Sequence, residues 1–266
     1  LAPTHTWLPD VHAQGPAPIS ALLSGVLLKC AMLALFRYYA IAAQATGMEF
    51  VQSVMVISGL ITLFVGGIFL IRQHDVKRMF AYHSIVHMGV IAFALGVGGF
   101  FGLFAAIFHC LAHSFTKALA FCSTGNIARI YGHKDMSKMG GMVKIAPITT
   151  IMFGAAVCSL VGVPAFAIFV SEYNVFVGAI TSGQYIAVAL FAIALAVIFI
   201  ADFAHFNMAS FGEPKGVVVH NKEMSLLENL PLIALCALII IFGVWHVDSF
   251  YTLVDNGVNI MMGALK

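Results

Sequence analysis

Phe50–Ile71 reads FVQSVMVISGLITLFVGGIFLI, with no Asp, Glu, Lys or Arg between Glu49 and Arg72. About 20 apolar residues rising 1.5 Å each are enough to cross the roughly 30 Å hydrocarbon core of a bilayer. In lipid, backbone polar groups must be satisfied within the protein, which leaves helices or closed barrels. The run lacks the period-2 alternation of a barrel strand, so it is a transmembrane helix. Further charge-free runs lie between Lys144 and Glu172 and between Glu172 and Asp202. The chain has 266 residues, is 61% hydrophobic and only 9% charged, against about 25% charged in soluble domains. The fold class is therefore all-α, a polytopic membrane helical bundle.

Seven spans are predicted, at roughly 17–43, 50–72, 78–98, 101–124, 145–178, 185–208 and 229–247. Gly and polar clusters separate them, among them Gly96-Val97-Gly98-Gly99 and Thr181-Ser182-Gly183. The tail 248–266 is expected to form a short amphipathic helix in the interface. Seven spans put Arg72, Lys77, Arg78, Arg129, Lys134, Lys138, Lys144, Lys215 and Lys222 on one side and Lys266 on the other. Such an excess marks the cytoplasmic face, with residue 1 inside and the C-terminus outside.

The fifth segment is too long for one crossing. Residues 145–178 would run about 51 Å as a straight helix against a core of about 30 Å. Within it stands Leu160-Val161-Gly162-Val163-Pro164. Proline removes a backbone donor and clashes with the preceding turn, so an unwound break is expected here, of the kind tolerated where it is buried or lines a watery cavity.

Three basic residues fall inside spans. Arg37, near the end of its span and followed by Tyr38-Tyr39, fits an interface anchor. Lys29 lies near mid-span, where a lysine costs roughly 2.5–3.5 kcal/mol on insertion scales and marks function. Span four carries His109, His113 and Lys117 at i, i+4, i+8, on one helical face. Histidine exchanges protons through either ring nitrogen near neutral pH, and a desolvated lysine can serve as donor and acceptor, so the row reads as a proton relay. Zinc ligation through the two histidines is disfavoured by the adjacent lysine and the lack of further ligands. Glu172 follows the break and is placed to pair with Lys117 or Lys29. His83 and His87, again at i, i+4, fit either relay or packing. Asp202 and His205 sit near the end of span six and fit either an entrance to the path or ordinary interfacial residues. The five cysteines are scattered through apolar runs as small hydrophobes. Without clustered thiolates, a haem pair or a nucleotide motif, the chain is expected to hold no cofactor and no redox centre of its own, and nothing points to nucleic acid.

Several motifs carry a family resemblance. Thr4-His5-Thr6-Trp7-Leu8-Pro9-Asp10-Val11-His12-Ala13, followed by Gly15-Pro16-Ala17-Pro18 and the run to Lys29, resembles the signature of antiporter-like membrane subunits. These occur in respiratory complex I, multisubunit sodium/proton antiporters and membrane-bound NiFe hydrogenases. Asp75-Val76-Lys77-Arg78, Ala81-Tyr82-His83-Ser84, His87-Met88-Gly89, His113-Ser114-Phe115-Thr116-Lys117 and Phe169-Val170-Ser171-Glu172 extend the likeness over essentially the whole chain. Phe211-Gly212-Glu213-Pro214 most resembles the hydrogenase-4 component F type of formate hydrogenlyase-like complexes.

The resemblance implies roughly fourteen spans around two inverted five-helix repeats, with a polar axis at mid-membrane. Lys29, His109, His113, Lys117 and Glu172 match family positions on that axis. Residues 1–49 would close the first repeat, 50–212 form the second, and 213–266 supply a C-terminal span and tail. The first repeat's glutamate and broken-helix lysine are expected upstream of residue 1, making this the C-terminal half of such a fold. The implied function is proton translocation in a redox-driven complex of a bacterial or archaeal cytoplasmic membrane. The implied partners are the lipid bilayer, other antiporter-like membrane subunits and a peripheral redox arm, a NiFe hydrogenase or a relative. A sodium or potassium/proton antiporter subunit and a purely structural anchor are the competing readings.

Overall fold

The apolar runs become helices in the computed structural model, which describes residues 1–215, 218–219 and 223–265. They are α1 (Trp7–Gln14), α2 (Ala17–Leu22), α3 (Leu28–Thr46), α4 (Met48–Ile71), α5 (Val76–Val97), α6 (Gly99–Tyr131), α7 (Met142–Ile145), α8 (Pro147–Leu160), α9 (Ala167–Thr181), α10 (Tyr185–Ser210), α11 (Leu226–Val244) and α12 (Asp248–Ala264). A π-helical turn, Leu23–Leu27, joins α2 to α3. Local chemistry sets the helix ends. The Asp75 carboxylate accepts from the amides of Lys77 and Arg78 at the start of α5, as an N-cap does. Ser225 and Glu228 form a capping box at the start of α11. Gly132, at φ +71°, closes α6 in the left-handed conformation that glycine adopts without penalty.

α5 is the centre of the molecule. Every residue of it except Arg78 and Tyr82 is buried, between α4, α6, α1 and α9. Close approach of α4 depends on glycines seven residues apart on both helices. A Cβ on Gly59 would lie 2.6 Å from the Phe93 amide nitrogen, and one on Gly96 2.5 Å from that of Val56. With lipid as solvent the hydrophobic drive between helices is weak, so contact at this range supplies the packing energy. α6 is the second hub, touching α2, α8, α9, α11 and α12 as well as α5.

Six helical runs among the described residues are long and apolar enough to cross a membrane: Ala17–Thr46, Met48–Ile71, Val76–Val97, Gly99–Tyr131, Tyr185–Ser210 and Leu226–Val244. The count of seven is thus corrected to six, because the fifth predicted span is two shorter helices, α8 and α9. The chain unwinds between them over 161–166, with Gly162 at φ +69° and Ala165 at φ +86° on either side of Pro164. The other departure is the π turn inside the first span, which nothing in the pattern of apolar residues announces. The tail forms α12, packed along α6 with Val254 and Val258 buried.

The loops preceding α5 and α8 and following α6 and α10 knit together at one end. The Val76 amide donates to the Lys134 carbonyl at 3.0 Å, Met136 to His74 at 2.7 Å and Gly141 to Phe211 at 3.0 Å. Lys144 pairs with Glu213 at 2.8 Å. Ser137 and Lys138 hydrogen-bond the Asp135 carboxyl and hold it below the usual carboxylate range. Lys222 and Lys266, expected on opposite sides, lie outside the described residues.

Candidate functional site

The polar interior is built where α5 and α6 run antiparallel, each with a row of titratable residues at i, i+4. His83 and His87 on α5 face His109, His113 and Lys117 on α6. His83, His109, His113 and Lys117 have no exposed surface and His87 has 1%. The His87 and His109 rings lie 5.0 Å apart, those of His87 and His113 4.9 Å, and those of His83 and His87 5.7 Å. His87, for which the spacing alone allows either relay or packing, is thus the hub of the cluster.

Hydrogen bonds fix part of the proton arrangement. The Ser171 hydroxyl donates to the Ile168 carbonyl at 2.7 Å, so it must accept from His109 Nδ1 at 2.8 Å. His109 Nε2 then carries the lone pair and accepts from His87 Nδ1 at 2.9 Å. Neutral His109 and His87 are both Nδ1–H tautomers on this reasoning. Lys29 Nζ donates to the Ser24 carbonyl at 3.1 Å and meets His113 Nδ1. The π turn ends two residues before Lys29 and carries Ser24, whose hydroxyl is 2.8 Å from that of Ser84 on α5. π-helical turns recur at functional sites because they re-aim side chains. A polar line therefore runs from Lys29 through His113, His87 and His109 to Ser171, the neighbour of Glu172.

Lys117 departs from its histidine neighbours. Its ammonium donates to the Phe80 carbonyl at 2.7 Å and lies over the Phe80 and Phe121 rings, 5.4 and 5.8 Å from their centroids. Cation–π attraction of this kind is worth about 2 kcal/mol when desolvated. His83, one turn from Phe80, pairs with Asp202 of α10. Asp202 is fully buried and His205 7% exposed, with His205 Nε2 3.2 Å from the Leu70 carbonyl. Asp202 and His205, expected as an entrance or as interfacial residues, are packed inside the protein: α10 lies against α4, and its buried face carries both.

Glu172 does not pair with either lysine. Its Oε2 tucks against Gly162 in the unwound segment, and its Oε1 has no hydrogen-bond partner among the described residues. The carboxylate lines a cavity of about 450 Å³ with Phe169, Tyr173, Phe176 and Phe199. Arg37 lies on α3, exposed like its neighbour Tyr38. Ser171, Ser24 and Ser84 join the site without a distinctive mark in the sequence. Their one signal is a hydroxyl within an apolar run, which is common in spans and usually back-bonds to its own helix.

The chain has relatives of known kind. It is 35% identical over 218 residues to the hydrogenase-4 component F homolog of Methylacidiphilum infernorum, covering 81% of this chain and 45% of that protein. It is 32% identical over 250 residues to a Na(+)/H(+) antiporter subunit of Alkalihalophilus pseudofirmus, covering 91% and 49%. It therefore spans about half the length of these relatives. Its fold matches a chain of the membrane-bound sulfane sulfur reductase, an archaeal respiratory membrane complex, with TM-score 0.86 and 27% identity over 100% of this chain and 55% of that one. Residues 1–198 match the NADH:quinone oxidoreductase/Mrp antiporter transmembrane family, and the chain belongs to that family.

Proposed function

We propose that this chain translocates protons as a membrane subunit of a redox-driven complex. The observation that carries the reading is the polar line from half-buried Lys29 through the buried His113, His87, His109 and Ser171, with Lys117 and the His83–Asp202 pair alongside it. Each imidazole accepts a proton on one nitrogen and releases one from the other, so adjacent rings about 5 Å apart can pass protons after small rotations. Charge movement in a partner subunit would shift the protonation of Lys29, Lys117 and Glu172 in turn. Glu172, beside the break and an aromatic cavity, is the terminal station. Residues 1–49 close one repeat, 50–212 form the next, and 213–266 follow as a span and tail.

The partners are other antiporter-like membrane subunits and a peripheral redox arm, NiFe hydrogenase or related, in a bacterial or archaeal cytoplasmic membrane. The hydrogenase-4 component F homolog supports this choice. The Na(+)/H(+) antiporter relative favours a second reading, cation/proton exchange without electron transfer. Hard cations want several oxygens, whereas side chains on the axis are mainly nitrogen donors, which favours protons. Lys117→Ala should abolish proton translocation in inverted vesicles while the complex still assembles and transfers electrons. Pumping at the parent rate would overturn the proposal, and sodium-dependent proton flux without an electron donor would replace it with the second reading.

A further inference from the structure

Building on the proton-translocation reading, we propose that His12 is the intake relay that carries protons from the basic loop face to Lys117. His12 belongs to α1, outside the membrane-crossing helices, and yet it has no exposed surface. Neither of its ring nitrogens has a hydrogen-bond partner among the described residues. Leaving buried polar atoms unpaired is destabilising, and a site occupied only for packing would be filled more stably by an apolar ring. Phe or Leu would serve that purpose against Phe121, on which the imidazole stacks at 4.6 Å with the planes 16° apart.

The surroundings give the nitrogens a use. The same Phe121 ring lies under the Lys117 ammonium, so one aromatic wall borders both the axis lysine and His12. On the loop side, Lys77 Nζ donates to the Gly15 carbonyl and Lys134 Nζ to the Ala13 carbonyl at 2.5 Å. The two ammoniums fasten the chain just after His12 to the start of α5 and the end of α6. Ser20 further holds the His12 carbonyl, donating at 3.2 Å. The ring is thus held in place between the basic loop end and the axis. Burial first, then the cations of Lys117 and Lys77, lower the His12 pKa to about 3, so the resting imidazole is neutral and has a lone pair to offer. In the transfer, a protonated water arriving from the loop side gives up an O–H bond and an N–H bond forms at one ring nitrogen of His12. The N–H bond at the other nitrogen breaks, and its proton passes through an intervening water to Lys117 once the Lys117 ammonium has handed its own proton along the axis. Tautomer exchange or ring rotation restores the start.

The test uses the intact membrane complex in inverted vesicles, reading protons translocated per electron transferred. His12→Phe keeps a ring on Phe121 and removes both nitrogens. His12→Ala opens space for added imidazole. His12→Phe should lower translocation at least about tenfold with electron transfer and assembly retained, and imidazole should restore translocation in His12→Ala but not in Lys117→Ala. If His12→Phe pumps like the parent, or His12→Ala is impaired and imidazole restores nothing, His12 is a packing residue and the proposal falls. Lys117→Ala run in parallel separates the two readings. If it pumps normally, the axis itself is wrong; if it is silent while His12→Phe pumps, only the intake is wrong.

Discussion

His87 makes the clearest case at the scale of a single residue. It donates from Nδ1 to His109 and its ring lies 4.9 Å from that of His113, so the line from Lys29 to Ser171 passes through it. His87→Phe keeps an aromatic ring, somewhat larger than the imidazole, and deletes the hub. Translocation should fall at least about tenfold, measured as protons per electron in vesicles. Stability should fall by only about 1–3 kcal/mol, because His109 Nε2 loses its donor but the packing survives. Parent-level pumping in that variant would remove His87 from the path. The two rows of titratable residues are legible in the sequence, since i, i+4 spacing puts side chains on one face whatever the tertiary structure. Their pairing is not. Which row faces which depends on how α5 and α6 pack, and neither Asp202 nor Ser171 carries a sign of its tertiary partner in its neighbours along the chain.

The broken element between α8 and α9 is readable for a different reason. A glycine two residues before a proline, in a segment too long to cross once, leaves an uninterrupted helix with a missing donor and a steric clash. What the segment does with the break depends on geometry. Gly162 takes φ +69°, and a Cβ there would fall on Glu172 Oε2. Gly162→Ala therefore meets two obstacles: a left-handed conformation costing about 1–2 kcal/mol for an L-residue, and displacement of the carboxylate. The expected result is a complex that assembles with impaired translocation, while Ala155→Gly, one turn and more before the break on α8, has no such effect. Equal pumping in both would mean that the position of Glu172 is immaterial. The π turn beside Lys29 has no comparable signature, because its residues, Leu23 to Leu27, are ones an ordinary α-helix also accommodates.

At the scale of the whole molecule, the loops bind one another more tightly than the count of spans requires. Positive charge along the sequence places the basic loop residues together, and the described ones do gather at one end. They are held there by backbone bonds between the loops at 74–76 and 134–136 and between 141 and 211. That geometry fixes a common end without saying which compartment it faces. From the excess of Lys and Arg we propose that it faces the cytoplasm, and this proposal can be measured. Cysteine placed at Lys138 or at Lys215 should react with a membrane-impermeant maleimide in inverted vesicles and stay unlabelled in intact cells. Cysteine at Gly183, in the α9–α10 turn at the opposite end, should do the reverse. The native thiols are a small background, since Cys110 and Cys236 are buried, Cys122 and Cys158 half-buried, and Cys30 lies on an apolar helix face. Labelling of Lys138→Cys and Lys215→Cys from opposite sides would break the knitted-loop arrangement itself. Labelling of both from outside would keep the fold and invert its orientation, and would carry the His12 intake to the other side of the membrane.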